Sequence, residues 1–281
     1  CGIKTAREVK VGDTVKRGDG VGSCGNSGRS PTPHLHFQFQ ATDKLGDKTT
    51  VSPIGHYLEN REGKFILHAF DIPVEGMAVQ NIETHKIIRQ AFEFKLGDKL
   101  SFEYMAGNKS RTEEWEVKVD IYNNIFIESS AGATVYVATV GKVMYLTNFL
   151  GNKHSALYYF YLTSIQVPLC YEPNLQWTDR YQLSKLISNL VRYASELFLV
   201  FSPQINATGT FAFEERDPDA KDYVLTSRIA VRGSGVFSFY KKTWNGTLVV
   251  DQQGFIKEIQ VVTPDGSQIR VIAKTNEEKQ G

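Results

Sequence analysis

Strict alternation of polar and apolar residues is the feature that most constrains the fold of this chain. Residues 33–40, PHLHFQFQ, place a histidine or glutamine at every second position, with leucine or phenylalanine between them. Because successive side chains of a strand point to opposite faces, this segment predicts a strand with one polar and one apolar face. The polar face carries two imidazoles and two amides, and it is either a solvated surface or one wall of a site.

The same alternation recurs through the rest of the chain. Residues 115–122, WEVKVDIY, and the neighbouring segments 134–140 and 142–150 predict half-buried strands. Turn signals at Gly141, at Asn245–Gly246 and at Pro264–Asp265–Gly266 predict an antiparallel meander. The continuous apolar run 155–169, SALYYFYLTSIQVPL, is interpreted as a buried strand. The sequence therefore predicts a mainly β protein.

One segment breaks the two-residue period. From about 179 to 200 the apolar residues are spaced by three and four, which predicts an amphipathic helix that covers one face of the sheet. Thr178 or Asp179 is expected to cap its N-terminus. The apolar positions are Leu183, Leu186, Ile187, Leu190, Val191, Ala194, Leu197 and Phe198.

Composition excludes some classes of partner. The 281 residues include 32 Lys and Arg against 31 Asp and Glu, so the formal net charge is +1. Such a balance provides no field of one sign to attract a polyanion, and we expect no nucleic-acid partner. No stretch in the sequence approaches the roughly 18 apolar residues that indicate a transmembrane helix. The three cysteines, Cys1, Cys24 and Cys170, do not define a disulfide framework.

The segment before the histidines is rich in turns. Gly12–Asp13 and Gly18–Asp19 are typical of tight turns, because glycine accepts positive φ and aspartate caps its own backbone. A loop over 25–33, GNSGRSPTP, then leads into the strand that carries His34 and His36. Residues i and i+2 of a strand lie roughly 6–7 Å apart on one face. One imidazole can therefore bind a metal while the other reaches a metal-bound water or a substrate oxygen, although an exposed strand face fits the same pattern.

Residues 9–40 resemble the C-terminal half of the lysostaphin/LytM-type zinc endopeptidases. That family carries a V-x-x-G-D-x-V-x-x-G segment, then G-N-[ST]-G-x-S, then [GP]-P-H-L-H-F. The corresponding residues here are VGD at 11–13, GNSGRS at 25–30 and PHLHF at 33–37, in the same order and spacing. The resemblance covers about residues 5–58, a fifth of the chain.

The resemblance implies a role for each matching residue. His36 is expected to be a zinc ligand, and His34 to assist catalysis by stabilising the attacking water or the developing oxyanion. Asn26 and Ser30 are expected to line the substrate groove, or else simply to form the turn. In the family, a second His and an Asp complete the zinc site from earlier in the chain, and a further catalytic His lies there too. None of these has a counterpart here, so we expect this chain to be a fragment that is inactive alone. A chain that begins with Cys1 fits either such a fragment or a mature lipoprotein.

These expectations define two domains. Residues 1–62 are predicted to be the C-terminal half of a LytM-type zinc peptidase domain. Residues 63–281 are predicted to be an antiparallel β-rich accessory domain of unknown role, with the helix at about 179–200.

The function implied for the intact parent is that of a zinc metalloendopeptidase that hydrolyses peptide bonds of peptidoglycan. Its location would be the bacterial cell envelope, periplasmic or extracellular. Its partners would be the peptidoglycan peptide, a membrane reached through a more N-terminal region, and an envelope protein bound by the C-terminal domain.

Two alternatives stay open. A degenerate member of the same family could act as a non-catalytic binding or activator module of the envelope. The hairpin pattern VKVGDTVKRGDGVG also resembles biotinyl and lipoyl carrier domains. Those domains need an exposed lysine at a tight turn between paired strands, and Lys16 is not placed in that way.

Overall fold

The structure is a computed structural model that describes residues 9–10, 12–16, 18–25, 31–34, 38–44, 46–187, 191, 193, 205–214 and 222–274. Its contacts divide the chain into two compact units, Cys1–Pro53 and Ile54–Gly281. The boundary predicted at 62/63 falls inside a hairpin of the second unit, since Tyr57–Arg61 pairs with Lys64–His68. The assignment of a peptidase role to one part and an accessory role to the other stays a prediction.

The described residues of the first unit include a short antiparallel pair, β1 (Phe39–Gln40) with β2 (Thr49–Thr50). The strand predicted across 33–40 is therefore paired, among the described residues, only at its end. Phe39, on the apolar face of the predicted strand, is 42% exposed and does not pack in a core. None of the described residues of this unit is buried.

Local hydrogen bonds define the turns of the first unit. Gly12 and Gly18 have φ of 96° and 93°, values that glycine accepts without steric cost. The Asp13 and Asp19 carboxylates each accept a hydrogen bond of 2.9 Å from the backbone N–H three residues earlier. Both predicted Gly–Asp turns are thus confirmed.

The second unit is mainly β, as predicted. Its strands are β3 (Tyr57–Arg61), β4 (Lys64–His68), β5 (Val79–Gln80), β6 (Lys99–Ala106), β7 (Lys109–Val119), β8 (Ile125–Ser129), β9 (Ala133–Val140), β10 (Val143–Gly151), β11 (Gln166–Pro168), β12 (Gln176–Arg180), β13 (Ile205–Phe213), β14 (Tyr223–Gly233), β15 (Lys241–Val250), β16 (Ile256–Val262) and β17 (Gln268–Ala273). Its described helices are α1 (Lys86–Phe92), α2 (Ala156–Thr163), α3 (Leu183–Leu186) and a 3₁₀ turn, Gly235–Phe237.

In the part of the chain that the structure describes, these strands form one sheet. Its order is β11-β10-β9-β8-β7-β6-β17-β16-β15-β14-β13-β12-β4-β3-β5. Every pairing is antiparallel except that of β12 with β4, which is parallel. The turns predicted at Gly141 and at 264–266 are confirmed, because they join β9 to β10 and β16 to β17. The long meander places sequence neighbours side by side over most of the sheet.

Helix α2 lies at the centre of the core. All eight of its residues are buried. The helix contacts β9 and β10 near one end of the strand order, and it also contacts β14, β15 and β16 farther along that order. The sheet therefore curves around this helix. The prediction of a strand over 155–169 is wrong for residues 156–163 and holds for β11. A segment that is apolar on every side has no amphipathic period, so alternation alone does not separate a buried helix from a buried strand.

The helix predicted at about 179–200 also needs correction. Thr178 and Asp179 do not cap a helix, because they belong to β12 and pair with β13. The preceding Trp177 is buried and stacks on Phe211 of β13 at 5.7 Å between ring centroids, which favours the extended conformation. Helix α3 begins only at Leu183, and residues 188–190, 192 and 194–204 lie outside the described part of the chain.

Gly246 is a strand residue and does not form the predicted turn. It lies in the middle of β15, opposite Ser227 of β14 and Val261 of β16. A Cβ at this position would lie 2.6 Å from the Thr163 Cγ2 atom and 2.7 Å from the Ser227 Oγ atom. Glycine is therefore needed here because the last turn of α2 approaches the strand closely.

A buried carboxylate fixes the N-terminus of α2. The Glu113 side chain, on β7, is fully buried and accepts hydrogen bonds from the backbone N–H groups of Ala156 at 2.7 Å and Leu157 at 3.1 Å. The Ser129 hydroxyl and the Trp115 indole N–H also donate to it, at 2.7 and 3.1 Å. A carboxylate at a helix N-terminus satisfies donors that have no partner within the helix and interacts favourably with the helix dipole.

Replacing Glu113 by alanine is expected to lower the free energy of unfolding by roughly 3–5 kcal/mol, because buried donors on three elements lose their acceptor. Chemical denaturation followed by tryptophan fluorescence measures the change. Glu114→Ala is the matched control, since Glu114 is its exposed neighbour on the same strand, and about 0.5 kcal/mol or less is expected there. Equal effects of the two substitutions would contradict the anchoring role of Glu113.

Candidate functional site

The predicted site residues lie in the first unit, and the structure describes one of the four. His34 is exposed, and its Nδ1 atom lies 2.9 Å from the backbone oxygen of Thr32. His36, Asn26 and Ser30 lie outside the described residues. Their roles as zinc ligand and substrate contacts therefore stay predictions, as does the role of His34.

The polar face of the histidine strand has a structural role at its C-terminal end. The Gln40 amide donates to the backbone oxygen of Asp47 at 2.9 Å and to that of Lys44 at 3.4 Å. The Thr42 hydroxyl donates to the Asp47 carboxylate at 2.5 Å, and this bond lowers the pKa of Asp47 below its usual value. Gln40 thus holds the turn between β1 and β2.

A zinc ion would need more donors than the described residues bring together. Catalytic zinc sites typically use three protein ligands and leave one position open for water. Among the residues that the structure describes, no three His, Cys, Asp or Glu side chains converge closely enough to hold a metal ion. His36, the predicted zinc ligand, lies outside these residues, so the zinc site stays a prediction.

The second unit contains a cleft of about 830 Å³. Its walls are formed by β4 and the loop that follows it, and by β9, β10, β11, β12 and β13. The cleft lies beside the contact between β12 and β11, which is the strand at one end of the sheet. In this contact the Trp177 indole N–H donates a hydrogen bond of 2.8 Å to the Gln166 backbone oxygen. A cleft of this volume is within the range of small-molecule binding sites.

A hydrogen-bonded chain of polar side chains borders the cleft. The His56 Nε2 atom hydrogen-bonds the Tyr145 hydroxyl, and that hydroxyl accepts a bond of 3.3 Å from the Gln166 amide. Burial lowers the pKa of His56 and raises that of Tyr145. At neutral pH the imidazole and the phenol are therefore both neutral, and a hydrogen bond joins them.

A second polar group lies at the edge of the cleft. His68 lies between two carboxylates, with Nε2 2.9 Å from Glu59 Oε2 and Nδ1 3.0 Å from Asp71 Oδ2. The hydrogen bonds from His68 are the main cause that lowers the pKa of both carboxyl groups. The Tyr57 ring stacks on the imidazole at 4.9 Å between centroids. This arrangement holds His68 in a fixed orientation.

The residues of this cleft could not be found from the sequence. His56 and Tyr145 are 89 positions apart, and neither belongs to a motif. Strand β12 pairs directly with β4, and the curvature of the sheet around α2 brings β10 to the same place.

Comparison with known proteins bears on the first unit. Residues 2–51 match the family model of peptidase family M23. This segment includes both histidines, the two Gly–Asp turns and the GNSGRS loop, so the resemblance seen in the sequence is confirmed. The M23 match ends before Ile54, where the second unit begins. No curated protein matches the chain.

Two further findings bear on the M23 segment and its companion unit. Within the described ranges, no helix is both long enough and apolar enough to cross a bilayer. The M23 match covers residues 2–51 and does not extend into residues 54–281.

The His68 cluster predicts a specific dependence of stability on pH. The pKa values of Glu59 and Asp71 are lowered in the folded state. The stabilisation that their ionised forms provide is therefore complete above the pKa values of the unfolded state, and it is lost as pH falls below about 4.5. The stability difference between the native protein and His68→Gln should therefore shrink from pH 6 to about pH 3. Urea denaturation across this range measures it, with His154→Gln as the exposed-histidine control. A difference that is independent of pH would contradict the pairing.

Proposed function

We propose that residues 2–51 form part of a zinc-dependent peptidase domain that hydrolyses peptide bonds of peptidoglycan. The observation that supports this proposal is the M23 match together with a His-x-His pair directly after the GNSGRS loop. Two histidines on one face of a strand are close enough for one to bind a metal while the other acts on the same reacting atoms.

In this proposal the two histidines have different roles. His36 is a zinc ligand, and the remaining ligands come from residues outside the matched segment. A bound zinc ion would supply an activated water and polarise the scissile carbonyl. His34 would donate a hydrogen bond to the developing oxyanion, a role in which a fixed donor gains strength because water is excluded. Asn26 and Ser30 contact the substrate from the preceding loop.

The location and partners follow from the substrate. A peptidoglycan endopeptidase acts in the bacterial cell envelope, in the periplasm or outside the cell, and its direct partner is the peptide part of the wall. We propose that the second unit positions the peptidase by contacting an envelope protein, and that a more N-terminal region associates the parent with the membrane.

Hydrolysis of purified peptidoglycan by the complete gene product that contains this sequence tests the proposal. New amino termini released from the wall are measured for the native protein and for two variants. His36→Ala should abolish release, and His34→Ala should slow it by about 100-fold or more, the magnitude typical of a lost catalytic hydrogen-bond donor. His154→Ala is the control, because His154 is an exposed histidine of the second unit.

Each outcome of this assay is informative. Full activity in His36→Ala would overturn the assigned role of the His-x-His pair. Binding to peptidoglycan without hydrolysis by the native protein would instead favour the non-catalytic binding or activator module.

A further inference from the structure

The cleft of the second unit has the features of a binding site for a small ligand, and this inference does not depend on the peptidase proposal. Its volume of about 830 Å³ is sufficient for a ligand the size of a sugar or a dipeptide. Its lining combines two carboxylates, a guanidinium, an imidazole, several hydroxyls, an amide and two aromatic rings. Such convergent polar groups in a concave surface are typical of specific recognition.

Asp179 is the charged group that most requires a ligand. It lies on the cleft wall in β12 and is partly buried. Its carboxylate accepts a hydrogen bond of 2.7 Å from the Arg180 backbone N–H, and among the described residues no cationic side chain lies within ion-pair distance of it. Burial raises the pKa of Asp179, which means that the ionised form lacks full solvation.

The other acidic group of the lining already has a side-chain partner. Asp71 pairs with His68 at 3.0 Å. Arg180 is exposed at the edge of the lining. Asp179 is therefore the acceptor in this cleft that a cationic group of a ligand can satisfy.

Phe70 adds an aromatic surface to the same cleft. Its ring is 59% exposed, and its backbone has φ of 54°, a conformation that residues other than glycine rarely adopt. Strained residues of this kind concentrate at functional sites, where the surrounding structure holds them in place. The His56 and Phe70 rings meet edge to face, with 5.1 Å between their centroids. An exposed aromatic face attracts an ammonium group through the ring quadrupole.

Hydroxyl groups complete the lining. Thr147, Thr178 and Thr208 line the cleft from three strands, and Tyr145 and Gln166, which share a hydrogen bond, also belong to the lining. These groups can both donate and accept hydrogen bonds, so they suit the hydroxyl or amide groups of a polar ligand.

We propose that this cleft binds a small polar ligand through its protonated primary amine, with Asp179 as the acceptor and Phe70 as the aromatic wall. The threonine hydroxyls and the Tyr145–Gln166 pair then recognise the neighbouring polar groups. Two sources supply this chemistry, an amino sugar and the side chain of a lysine-type amino acid.

Isothermal titration of the full chain at pH 7 tests the proposal with defined probes. D-glucosamine carries the amine on a sugar, and Nα-acetyl-L-lysine amide carries it on an amino-acid side chain. D-glucose and N-acetyl-D-glucosamine are the neutral probes matched to D-glucosamine. We expect saturable binding of at least one amine probe and no binding of the neutral probes. Binding of glucosamine alone assigns the source to amino sugars, and binding of the lysine probe alone assigns it to amino-acid side chains.

Variants identify the residues that bind. Asp179→Asn keeps the shape and removes the charge, and it should weaken amine binding by about tenfold or more. Phe70→Leu should weaken it by about threefold, the effect of an exposed cation–π contact. Asp43→Asn is the control, because Asp43 is an exposed carboxylate of the first unit. Circular dichroism confirms that each variant is folded.

Three results would overturn the proposal. The first is that neither amine probe binds at millimolar concentration. The second is that N-acetyl-D-glucosamine binds as tightly as D-glucosamine. The third is that folded Asp179→Asn binds the amine probes with native affinity.

Discussion

The contact between the Glu113 carboxylate and the N-terminus of α2 is the interaction on which the second unit depends. It joins a strand from the middle of the chain to a helix with no solvated face. A fully apolar helix gains much of its stability from burial, but its first N–H groups still need acceptors. The buried carboxylate supplies them, and the sheet can then close around the helix from both sides. The position of the cleft between β11 and β12 follows from that curvature.

The two units obtain their conformation in different ways. In the second unit, packing around α2 fixes side chains that are far apart in sequence, such as His56 and Tyr145. In the first unit, the described residues bury no side chain, and the hydrogen bonds of successive turns define the backbone. The M23 match lies wholly within the first unit. The two candidate sites therefore lie in different units and can be tested with separate variants.

The sequence predicted those features that depend on local pattern. The mainly β fold follows from alternation such as that of residues 115–119, and the turns at Gly12, Gly18 and Gly141 follow from the backbone freedom of glycine. The family of residues 2–51 follows from motif order. What could not be predicted depends on tertiary context. The YYFY run becomes a helix because it is enclosed on all sides, and Gly246 remains in a strand because Thr163 packs against it. The cleft combines residues from six strands and has no local signal at all.

The zinc content of the complete gene product tests the central claim about the M23 segment most directly. Elemental analysis of the purified protein gives the ratio of zinc to polypeptide for the native protein, for His36→Ala and for the His154→Ala control. The account predicts about one zinc per chain in the native protein and in the control, and its loss in His36→Ala. Zinc retained in His36→Ala, or its absence from the native protein purified without chelator, would contradict the assignment of His36 as a ligand.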